Sequence, residues 1–411
     1  MRNPSPRIVG ALLALALIPS VSHAADPRPV GTEFILGGCT TCREQAPAVA
    51  GTPSGAFAAV WEGKTATDPR SLLARFFTTQ GKPRGAERLV SKNLAADPYD
   101  PAVAATLNGY VVAWSEVEQG KSDILVQRFK STGAALGAAI RVSVEVASAS
   151  GSGMDYGPAV ATAANGGFVV AWVRFTPPGD PAIMVRRYDA SGKPLTGQVE
   201  ISSGLVKGTV PDVCVLSGGT AVVVWDSIDA RRPFEPSLEG VSLRRLSPAG
   251  PPVGTAEQVM VPPDAKAASA AVSCGKGNTF VVAYELDRPG ATDDSDIFVQ
   301  RFTRTGVPVA GPALRVNTSL LGKQKTPKVS HDAAGNFVVV WTSQQENDFG
   351  LIARRIGATG TPLSGEVVVE LSDSLVHRPL SPDVAHAGKT GGFVVTWQQG
   401  AGAALGRRYI P

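Results

Sequence analysis

Four cysteines and four histidines carry the most specific chemistry in this chain, and their spacing limits what that chemistry can be. Cys39 and Cys42 form a C-x-x-C, whereas Cys214 and Cys274 stand singly in two similar stretches, "VPDVCV" (210–215) and "SAAVSC" (269–274). A redox C-x-x-C needs a thioredoxin-like strand-to-helix setting, which is absent here. Two disulfides are expected instead, with three pairings open to four cysteines. Taking Val213 and Val272 as origins, Cys214 lies one residue on and Cys274 two. On a strand that opposite parity puts them on opposite faces, so they can meet if the two strands belong to neighbouring sheets packed face to face. His331 and His386 share the register of Cys274, each two residues after a valine (Val329, Val384). Cys274, His331 and His386 together would be a zinc or copper donor set, but the disulfide competes for Cys274. The reading is therefore of no metal and no cofactor, with that trio as the one alternative. No Ser/His/Asp or Cys/His arrangement suits nucleophilic catalysis.

Two stretches could bind a ligand. "ARRPFEP" (230–236) offers Arg231, Arg232 and Phe234, two guanidinium groups and a ring that suit a sugar or a carboxylate. "DDSD" (293–296) offers Asp293, Asp294 and Asp296, hard oxygens at a spacing that matches no calcium loop. The bland alternatives are a solvated loop and an exposed acidic turn. Asp100, Asp155 and Asp212 stand near the starts of apolar strands, where they could line the mouth of a central channel, with nothing in the spacing to pair them as acid and base.

The elements that position these residues are set by a repeat. "GGFVVAW" (166–172) recurs as "GYVVAW" (109–114), "NTFVVAY" (278–284), "GNFVVVW" (335–341) and "GGFVVTW" (391–397), with worn copies at 55–61 and 219–225. The closing aromatics Trp61, Trp114, Trp172, Trp225, Tyr284, Trp341 and Trp397 are 53, 58, 53, 59, 57 and 56 residues apart. An arginine follows each (Arg75, Arg128, Arg187, Arg245, Arg301, Arg355, Arg408), and six copies then carry a glycine (Gly81, Gly133, Gly192, Gly250, Gly306, Gly360). One arginine per unit is a structural signature, expected to bond neighbouring main chain or stack on an aromatic.

Each unit divides into four short strands, rich in β-branched and aromatic residues and bounded by Gly, Asn, Asp and Pro. In the third copy these are A (158–163), B (167–172), C (182–189) and D (197–202). On strand B both Phe168/Val170/Trp172 and Val169/Ala171 are apolar, so both faces must be covered. Four-stranded sheets that cover both faces with copies of themselves are the blades of a propeller. Immunoglobulin-like units would need about 100 residues each. The last copy stops after strand C, and "PRPVGTEFIL" (27–36) matches a strand D entry. The fold expected is all-β: a seven-bladed β-propeller of four-stranded antiparallel blades, its last blade closed by the N-terminal strand 27–36, as one domain over 25–411.

The unit resembles tandem repeats of exported bacterial proteins with the pattern GxFVVxW…DIxVQRF…GxPxG, best in "GYVVAWSEVEQGKSDILVQRF" (109–129). The resemblance covers nearly all of the chain after residue 24; it implies a secreted bacterial propeller and brings no activity with it. Residues 1–24 have the layout of a signal peptide: Arg2 and Arg7, an apolar run over 8–18, and Ser22-His23-Ala24 before the cut. That run is too short for a membrane-spanning helix. Without the leader, 37 basic residues face 35 acidic ones, with no basic stripe for nucleic acid.

Secreted or periplasmic localisation in a bacterium and a monomeric state are expected. The turns A–B and C–D are uniform between copies, whereas B–C and D–A vary. Binding chemistry gathers on loops freed from the repeat. The function expected is a non-catalytic binding scaffold recognising a glycan or protein through the variable face. The alternatives are a propeller glycoside hydrolase or lyase using carboxylates at the channel mouth, and a cell-surface structural module.

Overall fold

The computed structural model describes residues 26–38, 44–63, 70–91, 96–144, 153–176, 181–202, 206–229, 240–259, 266–275, 277–287, 294–309, 311–320, 322–346, 348–388, 391–400 and 402–411. The leader, Cys39 and Cys42, Arg231, Arg232 and Phe234, and Asp293 lie outside them. Among the described residues there is no helix, and so none long and apolar enough to cross a membrane.

The described strands pair as five sheets, three of four strands and two of eight. Each eight-stranded sheet is two antiparallel units of four joined by a single parallel bridge, Met154 with Ser122 and Ser295 with Lys323, so that seven four-stranded units can be followed. In the third unit the order is Met154–Thr162, Phe168–Phe175, Ala182–Tyr188 and Val199–Glu200. The first strand starts four residues earlier than the pattern suggests and the fourth is only two residues long. The first difference arises from a bulge, which breaks the alternation that sequence reading relies on. The second keeps the outer edge of the sheet short, which limits edge-to-edge pairing. Four units have two-residue outer strands; the others have Pro252–Gln258, Val367–Ser372 and Arg28–Ile35.

Arg28–Ile35 is the outer strand of the seventh unit. It pairs antiparallel with Ala403–Ile410, from Arg28 opposite Ile410 to Ile35 opposite Leu405. Phe34 then reaches the first unit, its ring 6.0 Å from that of Phe57 and 5.3 Å from that of Phe77. The expected closing strand is thus in place.

The core lies between the sheets. On the second strand of the third unit, Phe168, Val170 and Trp172 pack with Val111, Ala113 and Val126 of the second unit. Val169, Ala171 and Val173 pack with Val213, Val223 and Trp225 of the fourth. Equivalent clusters fill every joint, the one between the seventh unit and the first included. The sheets therefore stand side by side in a ring with their first strands innermost.

The arginines clamp these joints. Where the third strand reads Arg-Arg, the two side chains leave opposite faces. Arg187 reaches forward, donating to Gly219 O (3.1 Å) and Leu246 O (3.2 Å) of the fourth unit, and Arg186 reaches back to Val142 O (2.8 Å) of the second. Arg128, Arg301 and Arg408 likewise donate forward to Ala190 O, Ala358 O and Thr79 O. The repeated glycine is the other half of the clamp. A Cβ on Gly81 would lie 2.6 Å from Arg408 Cδ, and Gly81 itself has φ 78°. Gly85 also has positive φ (94°) but open space beside it. Alanine at Gly85 should therefore cost about 1 kcal/mol of backbone strain. Alanine at Gly81 should cost about 1–3 kcal/mol more by overpacking the seam between the seventh and first units. Urea unfolding of the two variants checks the difference.

Candidate functional site: the central channel

Each innermost strand carries a bulge at the same height. Ala46, Asp100, Gly157, Val210, Ser269, Thr326 and Ser381 have φ between 45° and 59°, and the strand register shifts beside each. Six of the seven precede a proline, whose missing N–H removes a donor the bulge would leave unpaired. In the fifth unit Ala270 replaces that proline, and its N–H is taken by Asp226 Oδ1 at 2.9 Å, with Ser269 N on Oδ2 at 2.9 Å. Glu62 and Ser115 do the same for the bulge N–H of Asp100 (2.9 Å) and Gly157 (3.1 Å) in the next unit.

Six of the bulges, all but that at Ser269, line a channel of about 600 Å³. The second residue after each of these six lines it too: Ala48, Ala102, Ala159, Asp212, Lys328 and Asp383. Its counterpart in the fifth unit, Ala271, is buried in the joint with the sixth. Three charges replace the common alanine, all in units four to seven. Asp212 Oδ2 accepts from Val272 N (2.8 Å) in the next unit and Oδ1 from Val213 N (2.8 Å). Asp383 repeats this on Val49 N (2.8 Å) and Val384 N (2.9 Å). One step further along the channel Ser273 and Ser330 accept from the N–H of His331 (3.1 Å) and His386 (3.0 Å). These bonds use donors that the free inner edges would otherwise leave unpaired.

Burial pushes the Asp383 carboxyl up to about 6; Lys328 and the two main-chain N–H groups pull it down, and Asp212 adds to the rise. Asp212 is raised for the same first reason and restrained by Lys328. Asp100 is raised by burial, and Glu62 is raised by burial and by Asp100. The channel thus holds more carboxylate than it can easily keep ionised.

The sequence-derived sites fall as follows. Cys214 and Cys274 are joined by a disulfide, Cα–Cα 5.5 Å, bridging the innermost strands of the fourth and fifth units. The opposite-parity argument describes that contact, which closes a loop of 60 residues and contributes about 4 kcal/mol in the chain-entropy picture. With its sulfur so engaged, Cys274 is no metal ligand. The trio with His331 and His386 does not form, and among the described residues no three His, Cys, Asp or Glu side chains converge as a metal site. The two imidazoles stay neutral: burial, helped by His386, pushes His331 down to about 3, and burial pushes His386 to about 4.

Asp296 is not in an exposed acidic turn; it is buried and accepts from Asn317 Nδ2 at 2.5 Å. Asp294 is described and half-buried, and the structure does not bring it and Asp296 to the channel. Asp155 does not line the channel either: it is buried, paired with Arg174 at 2.8 Å through both oxygens and bonded to Trp172 Nε1 at 2.9 Å. Asp100 and Asp212 do line it, joined by Asp383 and Lys328, which sequence reasoning missed. The signal was present in the aligned P-x-V triplets, where x departs from alanine only at 212, 328 and 383.

No protein-family model and no curated protein matches the sequence. Solved structures do match in fold. A protein of unknown function from Dyadobacter fermentans DSM 18053 superposes with a TM-score of 0.55 at 12% identity over 93% of this chain and 99% of that one. An ulvan lyase, a polysaccharide lyase bound to a GlcA–Rha3S unit, gives 0.55 at 10% identity over 93% and 96%. The α-L-arabinanase of Penicillium chrysogenum, complexed with arabinobiose, gives 0.51 at 11% identity over 92% and 98%. The architecture is thus similar to that of β-propeller proteins, several of them acting on polysaccharides; at these identities the likeness concerns the fold.

A pH experiment tests the strained carboxylate. The folded-state pKa of Asp383 is raised from 3.8 to about 6, so protonated Asp383 favours the folded state. That stability is present below about pH 4 and lost as pH rises through 6. Asp383→Asn should remove this slope, flattening stability between pH 4 and 7 by about 1–3 kcal/mol relative to the parent protein. Chemical unfolding of both proteins across that range measures it.

Proposed function

We propose that the seven units are the blades of a seven-bladed propeller, exported by a bacterium, that works as a non-catalytic binding scaffold. Its recognition surface is the face where the B–C and D–A connections surround the channel mouth, and its ligand is a glycan or a protein. One observation carries this reading. Asp212 and Asp383, the acids closest to an acid–base pair in the channel, each commit both oxygens to main-chain N–H groups. Held so, they serve as fixed charges and as ties between blades, whereas a general acid or nucleophile must be free to meet a substrate. The disulfide agrees with an oxidising compartment.

A hydrolase or lyase is the second reading. It is favoured by the raised carboxyl of Asp383 in a channel shared with Asp212, and by structural neighbours that act on arabinan and ulvan.

The mature chain, residues 25–411, applied to a glycan array and to envelope extracts separates the two. The scaffold reading expects retention of a glycan or protein. That retention should fall when 230–239 is replaced by a short Gly-Ser turn. Release of reducing ends or unsaturated products from a polysaccharide, abolished in Asp383→Asn, overturns it in favour of the enzyme.

A further inference from the structure

We infer that the channel mouth is a pocket for a small zwitterion with an apolar substituent, a free α-amino acid or short peptide. Lys328 takes its carboxylate, the Asp212 and Asp383 carboxylates take its ammonium, and the opposite wall takes its side chain. This rests on the binding-scaffold reading and adds a ligand class to it.

The first argument is the distribution of charge. At the column facing the channel, units one to three present Ala48, Ala102 and Ala159, whereas units four, six and seven present Asp212, Lys328 and Asp383. The apolar side is continued by the bulge prolines and by Tyr156. The wall of units one to three is thus mostly apolar, with Asp100 as its one carboxylate, and the charges of Asp212, Lys328 and Asp383 stand on the other wall. The volume of about 600 Å³ is within the size range of small-molecule sites.

The second argument is Lys328 itself. It lies between the two aspartates in ring order and near enough to lower the pKa of both. Yet among the described residues no hydrogen bond or ion pair is formed by its ammonium, which is a donor of three bonds. The aspartates cannot readily turn toward it, because their oxygens are held on main-chain N–H groups. A carboxylate has about four acceptor sites, so each keeps acceptor capacity beyond these two bonds. The channel so offers two held carboxylates and one ammonium on the same wall.

The third argument is exclusion. Among the described residues the ligating groups do not converge as a metal site would require. A simple anion meets Asp100, Asp212 and Asp383 against one ammonium. A simple organic cation leaves Lys328 unmet. A ligand with both charges and an apolar side chain answers all three features.

The test is calorimetric titration of the mature disulfide-bonded chain at neutral pH with L-leucine and glycyl-L-leucine, against N-acetyl-L-leucine and L-leucinamide. Each of the last two lacks one charge. The expected result is binding of leucine or the dipeptide, weakened by about tenfold or more for each singly charged analogue. Binding should also be lost in Lys328→Met, whose thermal unfolding stays close to the parent's. No heat with either zwitterion overturns the inference, as do equal affinities for the blocked analogues or an unaffected Lys328→Met. A silent titration beside intact glycan or protein capture leaves the scaffold reading standing; loss of both removes both.

Discussion

The structure depends on burying both faces of every sheet. The second strand of each unit is apolar on its two sides, so a sheet standing alone would expose one of them whichever way it turned. Packing one sheet against the next only passes the problem along the row. A ring ends it, and the ring is complete because Arg28–Ile35 joins Ala403–Ile410 and brings Leu36 and Phe34 into the cluster shared by the seventh and first units. Arginine clamps then tie neighbours on the outer part of the joints between units two and three, three and four, five and six, six and seven, and seven and one.

Closing a ring of sheets leaves seven inner edges facing one another without a ladder between them. Side chains do what a ladder does elsewhere. Serines, aspartates and one disulfide join successive inner strands, and prolines remove the donors that the bulges would strand. The same requirement accounts for the electrostatics of the channel. An aspartate is a good acceptor for an edge N–H, but it brings a charge into a narrow space, and the raised carboxyls of Asp212 and Asp383 are the result. Structural ties and binding chemistry thus use the same residues.

How much of this was legible in the sequence follows from what repeats. The strands, the joints and the closing segment are demanded in every unit, so seven copies report them: strand B of the third copy was placed within a few residues, and the parity of Cys214 and Cys274 described their contact. The bulges were not legible, because a single left-handed residue before a proline leaves the apolar count unchanged while moving the strand start from 158 to Met154. Asp155 and Asp296 were misplaced for a related reason. Near the ends of strands composition favours exposure, but Arg174 and Asn317, each about twenty residues away in sequence, draw them inward. Lys328 and Asp383 were overlooked because they matter only as exceptions to a column that the repeat itself hides.

The seam at Arg28–Ile35 has a consequence for folding. Arg28 finds its partner in Ile410, so the ring is completed by a contact between segments far apart in the chain. Until that contact forms, the seventh sheet lacks its outer strand and the cluster it shares with the first unit is not sealed. A pairing of such high sequence separation carries a large loop-closure cost and forms late, so the intermediate that precedes it is an open arc with apolar flanks, prone to self-association.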